Sequence, residues 1–155
     1  QHGRTPLHIA AGAGSDAVCG RLLDARAEVL AKDLHGGSPL HFAAGASKLD
    51  VVALLLERDA AADASDNGGL TALHVAASNG AARVCAQLLA ARAATDTKDA
   101  SGEVPAVAAA KAASEDKEGR KHHAEVLRLL NFYRAELAGD AAKFFRSWLM
   151  GQEVA

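Results

Sequence analysis

The chain of 155 residues repeats itself at a fixed interval of 33 residues. The phrase TPLHIAAG begins at Thr5, and the related phrases SPLHFAAG and TALHVAAS begin at Ser38 and Thr71. A fourth copy, VPAVAAAK, begins at Val104 and has lost both the hydroxyl and the histidine. Other columns match at the same interval: Val18, Val51 and Val84; the leucine pairs 22–23, 55–56 and 88–89; and Asp33, Asp66 and Asp99. A tandem unit of this length is typical of repeat architectures, in which each unit packs only against its neighbours.

Each unit predicts a turn followed by two short helices. Clusters of Asp and Gly, such as DLHGG and DNGGL, favour turns because glycine adopts positive φ readily. Thr5, Ser38 and Thr71 then stand where a hydroxyl can cap a helix N-terminus. Pro6 and Pro39 follow at the first helical position, where proline's missing N–H is not needed. In the second helix, apolar residues recur at i, i+1, i+4 and i+5, on one helical face. We therefore expect an all-α solenoid with short β-hairpin-like turns.

The 33-residue period and the phrase T-P-L-H-x-A resemble the ankyrin-repeat family. The resemblance is close over residues 1–113 and looser over 122–131. It implies four repeats and a C-terminal capping helix with a tail, with expected boundaries at 1–32, 33–65, 66–98, 99–138 and 139–155. The family usually has glycine at the end of the second helix, where this chain has Arg26, Asp59 and Arg92. We therefore expect slightly altered helix ends there.

The fourth copy predicts an end cap. Val104 cannot cap a helix, and Val107 cannot make the hydrogen bonds of a histidine. Val126 matches Val84 but lies 42 residues later, so nine residues have been inserted. We expect the charged, aperiodic insertion at 114–121 to lengthen the link between the last two helices. The segment AAKFFRSWLM, after a capping Asp140, predicts a further helix that either covers the end of the stack or docks into a partner.

The other end of the chain enters in the middle of a unit. Gln1 falls in the second column of a repeat, without the Asp that opens the later units. We therefore expect the chain to be a fragment of a longer protein.

Seven histidines raise the question of a metal site. His8, His41 and His74 occur once per unit, and the resemblance implies that each bonds within its own turn and toward the neighbouring hairpin. His122 and His123 would point about 100° apart on a helix and have no Cys or carboxylate at ligand spacing. The hydroxyls beside the repeat histidines already serve as caps. We expect no metal, no cofactor and no enzymatic activity.

Two cysteines, Cys19 and Cys85, occupy equivalent positions two units apart. Helices pack about 8–10 Å apart, so the sulfurs should lie roughly 20 Å from each other. A disulfide requires Cα atoms within about 7 Å. We therefore expect buried free thiols and an intracellular protein, cytoplasmic or nuclear.

Charge and hydropathy argue against two classes of partner. A net charge of −2 provides no basic field for nucleic acid. No run of about 18 apolar residues is present to span a membrane. A membrane-surface role for AAKFFRSWLM is a weaker alternative, because Lys143 and Arg146 are its only basic residues.

Columns that vary between units mark the candidate binding surface, because the fold does not dictate their residues. The resemblance implies that hairpin tips and the exposed side of each first helix line a concave face. The tip candidates are Gln1, His2, Arg4, Leu34, His35, Gly37, Asn67, Gly68 and Leu70, and the helix candidates are Gly12, Ala13, Gly45, Ala46, Ser78 and Asn79. Leu34 and Leu70 are the sharpest, since apolar groups at predicted tips bury nothing within the fold.

These observations predict a non-catalytic protein–protein interaction module that binds a protein partner through its concave face and hairpin tips. The alternative is a regulatory or targeting domain of a larger multidomain enzyme.

Overall fold

The computed structural model describes residues 2–115 and 120–137. Within these residues the chain forms eight α-helices in four consecutive pairs. The pairs are α1 (Pro6–Ala13) with α2 (Asp16–Asp24), α3 (Pro39–Gly45) with α4 (Leu49–Glu57), α5 (Ala72–Ser78) with α6 (Ala82–Ala90), and α7 (Pro105–Glu115) with α8 (Arg120–Leu137). Gln1 and the expected C-terminal capping helix lie outside the described residues.

The helices stack in two layers. The first helices pack in the order α1, α3, α5, α7, and the second helices pack in the order α2, α4, α6, α8. The described residues contain no strand, and the hairpin-like turns show one isolated antiparallel bridge, between Ser65 and Thr71. The predicted all-α solenoid is therefore confirmed. No described helix is long and apolar enough to cross a bilayer.

Alanine pairs and a leucine–valine face form the core between neighbouring pairs. Ala43, Ala44, Ala76 and Ala77 are all fully buried, and their small side chains allow the first helices to approach closely. The second helices supply larger groups, and Val51, Leu55, Leu88 and Val126 are each fully buried. Burying one such side chain contributes about 1.5–3 kcal/mol, so the packing of each pair on the next is the main source of stability.

The second helices end in the left-handed conformation that glycine favours, although the residues there are not glycine. Arg26, Asp59 and Arg92 have φ of 65°, 62° and 62°. The paired hydrogen bonds of a Schellman ending are formed after α2, with the Ala27 N–H bound to the Leu22 carbonyl at 2.9 Å. The expectation of altered helix ends was therefore wrong. Packing holds the geometry, and the backbone carries the strain instead.

The last two helices extend into the charged insertion. α7 continues to Glu115 and α8 begins at Arg120, so four of the eight residues at 114–121 are helical. The expected link is correspondingly shorter, and its remaining residues, 116–119, lie outside the described part. Sequence periodicity missed these turns because solvent-facing helix positions in polar residues look the same as a loop.

Candidate functional site

Each repeat histidine closes its own helix and reaches the next turn. In the first unit, the Thr5 N–H donates to His8 Nδ1 at 3.1 Å, and Thr5 Oγ1 lies 2.8 Å from the same nitrogen. His8 Nε2 lies 3.0 Å from the Gly37 carbonyl oxygen. Since a carbonyl only accepts, Nε2 carries the hydrogen and Nδ1 is the acceptor of a neutral ring. The same contacts recur at Ser38, His41 and Leu70, and at Thr71, His74 and Glu103.

These contacts give the three histidines a structural role, as the sequence predicted. Both ring nitrogens are engaged, so no lone pair is left for a metal or for a substrate proton. Ser38 and His41 are 5% and 7% exposed, so a substrate cannot reach the hydroxyl between them. His122 is exposed, whereas His123 is buried with Nε2 at 2.9 Å from the Ser78 carbonyl oxygen. In the described part of the chain, no group of three or more potential metal ligands comes together.

An aspartate shapes each hairpin turn. Asp33 Oδ1 accepts hydrogen bonds from the His35 and Gly37 N–H groups, both at 2.9 Å. Burial acts to raise the pKa of Asp33, but these two N–H groups outweigh it and hold the pKa below its ordinary value of 3.8. Asp66 and Asp99 bind their own turns in the same way. The ionised carboxylate therefore fixes the shape of each turn.

The hairpin tips are joined to one another through the main chain. The Leu34 N–H donates to the His2 carbonyl at 3.0 Å. The equivalent bonds run from Asn67 to His35 at 2.9 Å and from Ala100 to Gly68 at 2.8 Å. The tips consequently form one continuous edge along the stack.

Four predicted tip residues form an exposed group, here called the tip surface: His2, Leu34, His35 and Asn67. The side chain of Leu34 stands out from it, with the residue 68% exposed. The rings of His2 and His35 lie 6.3 Å apart, and the Asn67 amide donates to the Leu34 carbonyl at 3.2 Å. The structure thus brings these four residues together around one apolar side chain.

The prediction was wrong for two other tip residues, Gly37 and Leu70. Gly37 is buried, and its N–H and carbonyl are bound to Asp33 and His8. Leu70 is half-buried, and its carbonyl accepts from His41 at 2.9 Å. This column varies between units because the fold uses only its main-chain atoms. Its variation therefore gave no evidence of an exposed binding residue.

Arg4 occupies the same column but has a tertiary role of its own. Its guanidinium carbon lies 4.8 Å from the centre of the Phe42 ring, and its Nε lies 3.8 Å from an Asp33 oxygen. The side chain is nevertheless 46% exposed. Arg4 therefore lies between the tip surface and the first layer of helices.

Two predicted residues lie away from the tips. Ser78 ends α5 and Asn79 follows it, at the opposite end of that helix from its cap, Thr71. Both are exposed, and the Asn79 amide donates to the Gly45 carbonyl at 2.8 Å. These two residues are therefore separate from the tip surface.

A row of apolar residues on the first helices was missed from the sequence. This apolar row consists of Ile9, Phe42 and Val75, which share one column of the repeat. Ile9 is 64% exposed, and the other two are half-buried. Phe42 packs across Gly12 and Val75 packs across Gly45. The signal was available: the position after each histidine is apolar in every unit but never the same residue.

Comparison with known proteins agrees with this architecture. A family model described as ankyrin repeats (3 copies) matches residues 7–99 and, in a second overlapping match, residues 40–136. Together the two matches cover most of the chain. No curated protein shows a significant match to it.

Proposed function

The chain belongs to the ankyrin-repeat family, whose members are generally protein–protein interaction modules, and we propose that this one is a non-catalytic module that binds a protein partner on its tip surface and apolar row. The partner would lie on the concave side of the stack and reach the hairpin tips. This proposal includes Leu34 and excludes Leu70, which contributes to its own turn.

The observation that carries the proposal is the exposure of two apolar side chains that the fold does not use. Leu34 is 68% exposed and Ile9 is 64% exposed. Burying either one against a partner would contribute about 1.5–3 kcal/mol. The surrounding groups suit such an interface, because Arg and aromatic residues are enriched at protein contacts. Arg4 and Phe42 supply both kinds beside the exposed pair.

A non-catalytic role is supported by the chemistry of the hydroxyl–histidine pairs. They are the closest approach to a nucleophile and base in the described residues, with Ser38 Oγ 2.8 Å from His41 Nδ1. That nitrogen also accepts the Ser38 N–H, and the pair is buried. The arrangement caps a helix and leaves no group available to attack a substrate.

Affinity capture with a matched charge control tests the proposal. The bait is the full chain, compared with the double variant Ile9→Glu, Leu34→Glu and with Ala90→Glu, which adds a charge at an exposed position on α6. Surface substitutions usually change stability by less than about 0.5 kcal/mol, so all baits should stay folded. We expect the double variant to lose the proteins that the chain and the control retain. Equal capture by all three baits would remove this surface from the proposal.

We also propose an intracellular, reducing location. Cys19 and Cys85 are free and buried. Desolvation raises the pKa of both thiols, that of Cys85 to about 12, so neither forms a reactive thiolate at neutral pH. Thiol labelling of the protein taken from its native source tests this location. Reversible oxidation of either cysteine there would contradict it.

A further inference from the structure

One side of the first helix pair exposes columns that are buried in every other pair. Val18 is 47% exposed, whereas Val51, Val84 and Val126 in the same column are 0%, 2% and 0% exposed. Leu22 is half-buried, whereas the equivalent Leu55, Leu88 and Leu130 are at most 2% exposed. Pro6 is exposed, whereas the equivalent Pro39, Ala72 and Pro105 are buried. We call Pro6, Val18 and Leu22 the leading face.

The last pair shows which neighbour buries these columns. No helix follows α8 in the part of the chain that the structure describes, yet Val126 and Leu130 are 0% and 2% exposed. A following pair is therefore not needed to bury them. What covers the columns in the later units is the pair that precedes each one, through the contacts of α4 with α2, α6 with α4 and α8 with α6.

The main chain beside the leading face carries a matching hydrogen-bond acceptor. The carbonyls of Gly37, Leu70 and Glu103 each accept from the histidine of the preceding unit, at 3.0, 2.9 and 3.0 Å. Arg4 stands in the same column, one interval before Gly37. Its carbonyl is therefore placed to accept from one further histidine.

We infer that the leading face is an interface for a further helix pair of the same repeat, carried ahead of Pro6 on the same polypeptide. A second copy of the chain is a poorer fit. The pair at its far end would have to present its first helix, and α7 has Val107 where the repeat histidine stands. That pair cannot supply a hydrogen bond to Arg4, whereas a preceding unit with the histidine can. The inference makes no use of the tip surface or of its partner.

The test is to add one unit and ask whether the leading face receives it. A copy of residues 34–66 is joined directly ahead of Gln1, which keeps the 33-residue interval because Gln1 stands in the column of Asn67. We expect the extended chain to melt about 5 °C or more above the original, since one more interface is buried. Replacing the histidine of the added copy by valine should remove part of that gain.

Val18→Lys supplies the decisive comparison. In the original chain Val18 is exposed, so the substitution should shift the melting temperature by less than about 2 °C. In the extended chain it should cost most of the gain. The control Leu34→Lys, at an exposed apolar residue off the leading face, should have the same small effect in both chains.

Three results would overturn the inference. One is an extended chain that is no more stable than the original. A second is a Val18→Lys effect that is equal in the two chains. The third is an original chain that sediments as a dimer and is dissociated by Val18→Lys, which would make a second copy the occupant.

Discussion

His41 Nε2 donates a hydrogen bond to the carbonyl oxygen of Leu70 at 2.9 Å, and so joins the first helix of one unit to the turn of the next. The same ring accepts the Ser38 N–H through Nδ1 at 3.2 Å. One neutral side chain therefore closes its own helix and holds its neighbour in place. Its removal leaves buried donors and an acceptor unpaired on both sides.

Replacing His41 by alanine should destabilise the chain by about 1–3 kcal/mol, the usual cost of leaving buried polar groups without partners. His8→Ala should cost a similar amount, because His8 makes the same contacts with Thr5 and Gly37. Urea unfolding followed by circular dichroism measures both. His35→Ala, at an exposed histidine on a tip, is the control and should stay within about 0.5 kcal/mol. If the control cost as much as His41→Ala, the two buried contacts would not be the source of the loss.

Stability should fall as the pH drops below 6.5. Desolvation lowers the pKa of His41 below 6.5, and the hydrogen bond to the Leu70 carbonyl offsets only part of this. The unfolded chain therefore takes up the proton at a higher pH than the folded chain. The stability is fully present above 6.5 and is lost progressively as the pH falls toward the folded pKa. Urea midpoints from about pH 7.5 to about pH 5 would show the slope.

A His41→Gln variant isolates the residue responsible, and it should lose less stability than the original chain over the same pH range. A second loss should follow at lower pH, below 3.8. Hydrogen bonds from Gly37 and His35 overcome the effect of burial and lower the pKa of Asp33, and a hydrogen bond from Glu103 lowers that of Asp99. Identical slopes for His41→Gln and the original chain would show that another group is responsible.

Three glycines in one column separate backbone strain from contact with the neighbouring hairpin. Gly36, Gly69 and Gly102 have φ of 76°, 76° and 79°, so alanine should cost about 1–2 kcal/mol at each. At Gly36 the new Cβ would also lie 2.8 Å from the Asn67 main-chain nitrogen. At Gly102 it would meet nothing within 4 Å. Gly36→Ala should therefore lower the melting temperature clearly more than Gly102→Ala, and equal losses would mean that the tips do not pack as described.

Glycine at the strained helix ends should stabilise the chain. Arg26, Asp59 and Arg92 hold positive φ with exposed side chains, so replacing each by glycine should relieve strain by up to about 1 kcal/mol. The three effects should be nearly additive, because the sites belong to different units. Gly14→Ala, at φ of 78°, is the reverse control and should destabilise. Lower melting temperatures for all three glycine variants would show that the arginine and aspartate side chains make favourable interactions of their own.

The sequence was sufficient wherever the fold depends on local chemistry repeated in register. The caps at Thr5, Ser38 and Thr71 and the histidine three residues after each could be predicted, because cap geometry restricts which side chains fit. The all-α stack followed from the same columns. The end of α7 at Glu115 could not be predicted, because its last turn is polar and exposed.

The candidate site was harder to predict because exposure depends on the neighbouring unit. Leu34 and Leu70 are the same type of residue in adjacent turns, yet one points into solvent and the other is half-buried. The contact of Arg4 with Phe42 joins residues from two units. Variation between units measures only whether the fold needs a particular side chain. At Gly37 the fold needs the main chain instead, and variation there was misleading.

The hydrogen bonds between hairpin tips have a consequence for how such a chain can change in length. They join Leu34 to His2, Asn67 to His35 and Ala100 to Gly68 through main-chain atoms alone, so no particular side chain is required to form them. A duplication or loss of 33 residues would restore the same bonds at the new junction whatever the local sequence. The nine-residue insertion falls after Ala100, beyond the last of these bonds. Unequal recombination by whole units can therefore lengthen or shorten the protein without any prior adaptation of its surface.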